Sequence, residues 1–150
     1  MSTPSLTHTY FGSTLVAGSA LTEATNGGYA VLMQVASLTT VAAGTAVSAT
    51  ISIPAGAQII EFFADMVTVP SFGTATKVDL TIGTAAAGTQ YLSATDVTLV
   101  GRTALTFTAA QLTAMSNVGS NTSVVATIDP DGTIPTTQGV FQVTVVYAMK

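Results

Sequence analysis

Between Val47 and Ile53 the chain runs Val-Ser-Ala-Thr-Ile-Ser-Ile, apolar and polar in strict alternation. Successive side chains of an extended backbone point to opposite faces, so this period of two describes a half-buried strand and does not fit a helix. The same period recurs along the chain. Tyr29, Val31, Met33 and Val35 share one face of a first strand. Val78, Leu80 and Ile82 stand opposite Lys77, Asp79 and Thr81, with Gly83 closing that strand. Val124, Ala126 and Ile128 alternate again, and Phe141, Val143, Val145 and Tyr147 line one face of a last strand over 140–148. The longest run places Ile60, Phe62, Ala64 and Met66 on one side and Glu61, Phe63, Asp65 and Val67 on the other. That second face is apolar and acidic together, which suits a surface half covered by another subunit.

Turn chemistry separates these runs. Pro54-Ala55-Gly56-Ala57, Pro70-Ser71-Phe72-Gly73 and Asp129-Pro130-Asp131-Gly132 combine a fixed φ with residues that tolerate tight backbone. Residues 84–95 are small and polar and read as a loop anchored on the sheet by Tyr91 and Leu92. A short strand is expected over 97–100, broken by Gly101-Arg102, with 103–107 extended and 117–121 a loop. Thr108 with Gln111 three residues on is a capping box, so 109–115 is predicted as one short helix. About seven or eight short strands at this spacing predict an all-β domain, an antiparallel β-sandwich or jelly roll. Nothing has the helical period that βαβ units need.

The 150 residues suffice for one domain with its own core. Residues 1–28 are polar and dotted with glycine, and Tyr10, Phe11, Leu15 and Val16 are their sizeable apolar groups. They read as an extended N-terminal arm, with 29–150 forming the β-domain. Tyr10 and Phe11 suit an arm that anchors on a neighbouring subunit.

Charge narrows the functional classes. Charged residues make up 7% of the chain, against about a quarter in an ordinary protein. Lys77, Arg102 and Lys150 are the only cations and the net charge is -4. No basic patch can form, which argues against nucleic acid as a partner. No uncharged apolar run approaches the ~18–20 residues of a membrane helix. A surface of Thr, Ser, Ala and Gln carries few like charges to repel a neighbour, and suits burial within an assembly. Cysteine is absent, which removes disulfides and thiolate metal sites. Met1-Ser2-Thr3-Pro4-Ser5 lacks the basic start of a secretory signal, so synthesis and retention in a cytoplasm are expected.

Catalytic constellations are not evident. The single histidine, His8, falls in the arm, where nothing holds a base as a triad requires. The carboxylates are Glu23, Glu61, Asp65, Asp79, Asp96, Asp129 and Asp131. Glu61 and Asp65 lie on one strand face ~13 Å apart, wider than a glycosidase pair, and no Trp offers a sugar platform. Asp129 and Asp131 resemble the start of a calcium loop, but Thr133-Ile134-Pro135 supplies no further carboxylate, and ordinary turn chemistry accounts for them. Asn121-Thr122-Ser123 matches a glycosylation sequon that has no secretory signal to give it meaning. No catalytic residue, cofactor or metal site is expected.

Over about half the chain a series of segments keeps a suggestive order. Ile53-Pro54-Ala55-Gly56-Ala57 precedes a long strand, and Val78-Asp79-Leu80-Thr81-Ile82-Gly83-Thr84-Ala85 follows it. Then come Tyr91-Leu92-Ser93-Ala94-Thr95-Asp96-Val97, Gly101-Arg102-Thr103 and, near the end, Val143-Thr144-Val145-Val146-Tyr147. Each segment is strand-and-turn grammar; together they resemble small virion proteins of tailed bacteriophages, of the capsid decoration (cement) and head-fibre type. The resemblance implies a β-sandwich made in the host cytoplasm and carried on the outside of an icosahedral head. It would be a homo-oligomer, commonly a trimer, clamping neighbouring major capsid subunits, with no catalytic residues. Such proteins stabilise a shell by binding only its assembled form, with avidity from many copies. Tyr10, Phe11, Phe63 and Phe72 are the interface candidates, because aromatic groups dominate interface hot spots. A receptor- or carbohydrate-binding head-fibre or adhesin domain is the alternative. Its Thr/Ser-rich surface favours it, and the absence of Trp and an aromatic share of 7% count against it. A hydrolase built on Glu61 or Asp65 fits least.

Overall fold

The computed structural model describes residues 7–10, 13–16, 30–120 and 122–149. Strands β1 (Thr7–Tyr10) and β2 (Ser13–Val16) pair antiparallel within the stretch expected to be an arm. Phe11, Glu23 and the rest of 1–29 lie outside the described residues, as do the side chains of His8 and Tyr10. The remaining elements are β3 (Ala30–Thr39), β4 (Val47–Ile53), β5 (Gln58–Thr68), β6 (Val78–Gly83), β7 (Leu92–Asp96), β8 (Gly101–Thr103), α1 (Ala109–Ser116), β9 (Thr122–Pro130) and β10 (Val140–Met149).

Eight of these strands make two four-stranded antiparallel sheets, ordered β3-β10-β5-β8 and β4-β9-β6-β7. The hydrogen-bonded pairs are nested: β3 with β10, β4 with β9, β5 with β8, and β6 with β7. A chain folded back on itself in four nested pairs and then wound into two layers is a jelly roll. That decides between the two architectures the strand spacing allowed.

The core lies between the sheets. Leu38, Phe62, Leu80, Ile82, Ile128 and Val143 are among its fully buried side chains. Phe62 packs its ring 5.9 Å from Tyr91 and 6.4 Å from Phe107, centroid to centroid. Burial of side chains of this size contributes ~1.5–3 kcal/mol each. Alternation is followed closely in β4, β6, β9 and β10, whose inward residues are those the period of two selects.

Three segments depart from the sequence expectation. In β5, Tyr147 pairs with Ile59 and Val146 with Glu61, so Ile60 is an extra residue in a β-bulge. Ile59 and Phe62 therefore both point inward, and Ile60, expected on the Phe62 face, is 49% exposed. Second, Leu92–Asp96 is a strand rather than part of a loop, because its backbone completes the edge of β6; Tyr91 and Leu92 are buried, as anchors should be. Third, 97–100 is not a strand. Val97 donates its N–H to the Val78 carbonyl at 2.9 Å, and the Asp96 carboxylate accepts from the Thr98 backbone N–H and hydroxyl, which turns the chain. Gly101, at φ +91°, then carries it across to the other sheet, where Gly101–Thr103 pairs with β5. The supposed strand breaker is the strand.

Helix α1 closes one end. Thr108 and Gln111 form the reciprocal capping box, and the Gln111 amide also donates to the Thr89 carbonyl and Ser93 hydroxyl. At the other end the loops 40–46, 69–77 and 131–139 are laced together. Thr40 N–H donates to the Gly139 carbonyl and Ile134 N–H to that of Ala42. Ser71 bonds Thr136 and Thr137, and Thr74 bonds Thr133. Gly44, at φ +68°, approaches the Gly132 carbonyl so closely that a Cβ would stand 1.9 Å from its oxygen.

Candidate interaction surface

The outer face of β3-β10-β5-β8 carries the residues of interest, and the register orders them into rows. Val35, Thr144 and Phe63 lie side by side across three strands; Met33, Val146 and Glu61 form the next row; Ser37, Gln142, Asp65 and Arg102 form another. Along β3 the alternation expected from the sequence is present, but its apolar face is the outer one. Val31, Met33 and Val35 are exposed by 60%, 66% and 55%. The inward face of the same strand is Gln34, Ala36 and Leu38, and Gln34 is accommodated by donating to the Tyr147 hydroxyl at 2.7 Å and to the Ser52 carbonyl at 3.2 Å.

Beside β5 the face changes character. Phe63 and Asp65 lie on one side of that strand, as the alternation predicts. Arg102, delivered by β8, forms a two-pronged ion pair with Asp65, both bonds 2.9 Å, and lays its guanidinium 4.4 Å from the centroid of the Phe63 ring. The hydrogen bond to Asp65 raises the Arg102 pKa further above its ordinary value. The half-covering expected of a second subunit at Phe63 is thus supplied in part by this chain's own arginine. A cleft of about 300 Å³ opens between β5 and the segment after β8, lined by Glu61, Phe63, Arg102, Thr103, Leu105 and Phe107 among others. Its cation is already committed to Asp65.

The opposite outer face is polar. Ser48, Thr50 and Ser52 line β4, and Ser48 shares a 2.9 Å hydrogen bond with Thr127 of β9. The loop between β6 and β7 folds over this point, Ala87 N–H donating to the Thr127 hydroxyl at 3.0 Å. Asp129, Asp79 and Asp96 stand in one row across β9, β6 and β7. Lys77 bridges to Asp79 at 2.5 Å, a contact that raises the lysine pKa. Bonding to the Thr98 hydroxyl, and next to its N–H, lowers the pKa of Asp96. Asp131 accepts from the Thr76 N–H and hydroxyl, both at 2.6 Å, and from Lys77 N–H at 3.1 Å. These bonds, the Thr76 hydroxyl foremost, lower its pKa to about 2. Asp131 acts as a pin between the end of β9 and the start of β6. Among the described residues no three His, Cys, Asp or Glu side chains are grouped to hold a metal ion.

Of the aromatic candidates, Phe63 lies on the outer face just described. Phe72 lies in the loop 69–77 and is 36% exposed. Tyr10 ends β1 with its side chain outside the described residues, and Phe11 is wholly outside them. Aromatic content did not point to Val31, Met33, Val35 and Ile60, nor to Leu99 and Val100, which are exposed beside β8. The alternation of 31, 33 and 35 was visible, but it has the same form as that of a buried face.

No family model and no curated protein matches the chain. Among solved structures it is similar to a chain of the cyanophage Pam1 capsid asymmetric unit, with 21% sequence identity over 89% of this chain and 96% of that one. The TM-score is 0.59. At that identity the likeness establishes a shared fold: this jelly roll is also the fold of a phage capsid chain.

Proposed function

We propose that the protein is a non-enzymatic structural component of a phage virion, a decoration (cement) protein that sits on the outside of the head and clamps neighbouring major capsid subunits. The observation that carries this is the jelly roll shared almost end to end with a chain of a cyanophage capsid. A charged share of 7% and an apolar outer face on one sheet support it, because both suit a surface covered in an assembly. In this reading the partners are the major capsid protein and further copies of the chain, with a trimer as the family expectation, and no nucleic acid or membrane is involved. Tyr10, Phe11, Phe63 and Phe72 remain the proposed aromatic contacts. The protein is made in the host cytoplasm and ends on the virion surface.

The test is to add purified protein to heads that lack it, and to measure bound copies by sedimentation and the temperature at which heads release DNA. Saturable, stoichiometric binding that raises the release temperature is the expected result. Absence of binding sinks the proposal. The Ser/Thr face of β4 and β9 favours a second reading, a carbohydrate-binding head-fibre domain, since jelly rolls also serve as lectins. Glycan arrays that light up where heads do not bind would select it.

A further inference from the structure

Among the described residues strand β3 is an outer edge, pairing with β10 on one side only. Its ten residues, Ala30–Thr39, contain no charge and no proline, and their pairing with β10 runs without a register shift. Edges of that length are ordinarily blunted by lysine, proline, a bulge or a cover, because their free N–H and C=O groups are templates for another strand. Of these devices only a cover remains open to β3. The first half of the strand is exposed on both faces, Leu32 on the inward side being 44% accessible. On the outward side Val31, Met33 and Val35 form a straight stripe spanning ~13 Å, continued sideways by Val146, which lies opposite Met33.

Resting on the assembly reading above, we propose that this edge and its stripe are the seam between copies of this chain, Val31, Met33 and Val35 of one packing against the β3 edge region of another around a symmetry axis. Charge selects the occupant. Each copy carries -4, and the row Asp129, Asp79 and Asp96 lies on the opposite sheet, where Lys77 neutralises Asp79 and leaves Asp129 and Asp96 charged. On the β3 sheet the acids are Glu61 and Asp65 of β5, two strands or ~10 Å away, and Asp65 is already neutralised by Arg102. Copies that meet at β3 therefore keep their carboxylates apart, whereas contact through the other sheet would oppose them. A partner chosen by charge would find no charge on the stripe to read. Interfaces between identical subunits are the more apolar class, and most close by symmetry.

The test is the mass of the full chain by light scattering after size exclusion, for wild type, Met33→Glu, Val35→Glu and the control Val67→Glu. The control site is on the same sheet near the end of β5, at a second register shift where Val140 pairs with Thr68 and Phe141 with Met66. Wild type and Val67→Glu are expected at a fixed multiple of 15.1 kDa. The two β3 variants are expected at that single mass with their far-UV spectra unchanged, an association weakened by about 100-fold or more for a charge set in an apolar contact. Val35→Thr keeps β-propensity and is expected to weaken association less, so it reports even if a glutamate variant misfolds. A monomeric wild type, or an oligomer that survives every β3 substitution, overturns the seam. Binding to heads is scored separately. A monomer that still decorates heads overturns the seam alone, and an intact oligomer that ignores heads overturns the capsid reading alone.

Discussion

The two outer faces of the sandwich rest on one core and use similar strands, yet one presents Val31, Met33, Val35 and Ile60 and the other Ser48, Thr50, Ser52 and a row of aspartates. On the polar face hydroxyls bond across strands, and the chain's own β6–β7 loop covers Thr127. On the apolar face, among the described residues, the cover is one arginine over Phe63, and Val31, Met33 and Val35 of β3 are exposed. Both faces obey the same alternation, so the difference is not one of secondary structure. It lies in what each leaves for another molecule to do.

Four substitutions break or sharpen that contrast. The largest effect belongs to the core beneath both faces: Phe62→Ala is expected to cost ~3–5 kcal/mol. Denaturant unfolding should show it as a single lower midpoint, since both sheets lose the same packing. Two separate transitions would mean that the faces are carried by independent units. Next is Gly44→Ala in the loops that clasp the sheet ends. Its Cβ would meet the Gly132 carbonyl oxygen, and its φ is positive, so a loss of about 2–4 kcal/mol is expected in the same measurement. An unchanged midpoint would show that this clasp yields easily.

Smaller effects address each face in turn. Arg102→Ala removes an ion pair that solvent screens on the arginine side and the cation that lies over Phe63. Stability should fall only slightly while Phe63 becomes more reachable, which a hydrophobic dye reports; unchanged dye binding would deny Arg102 its covering role. On the acidic side the pH dependence is the probe. The folded Asp131 carboxyl titrates at about 2, below the ~3.9 of an unfolded chain. Its stabilisation is therefore complete above the unfolded value and is lost as pH falls towards the folded one. Asp131→Asn should flatten that part of the acid limb of a stability–pH curve. An identical limb would remove Asp131 from the account.

Much of the architecture was legible in the residues. The alternation at 47–53 and 140–148 placed β4 and β10, Thr108 and Gln111 placed α1, and the proline and glycine turns separated the strands. The losses came where pairing, rather than local pattern, set the outcome. Ile60 follows the same alternation as Phe62, and only the register against β10 makes it an inserted residue. Residues 97–100 are apolar enough for a strand, but β6 supplies a carbonyl to Val97 and β5 offers its free edge to 101–103. The candidate surface was legible only in part. Phe63, Asp65 and Glu61 were placed on a shared face, whereas the Val31-Met33-Val35 stripe was seen as a face without a direction.

The sequence by itself determined the class of fold, because a period of two interrupted by turn residues can bury its apolar atoms only as packed sheets. It also determined the low charge, and with it a surface open to company. Tertiary structure alone decided the nesting of strand pairs into a jelly roll, the delivery of Arg102 to Asp65 and Phe63, and which apolar stripe faces outward. The physical reason is that alternation is a local property with two equivalent faces. Which face is inside depends on what the neighbouring strand and the opposite sheet already fill, and at β3 they accept Gln34, Ala36 and Leu38 and leave Val31, Met33 and Val35 to solvent.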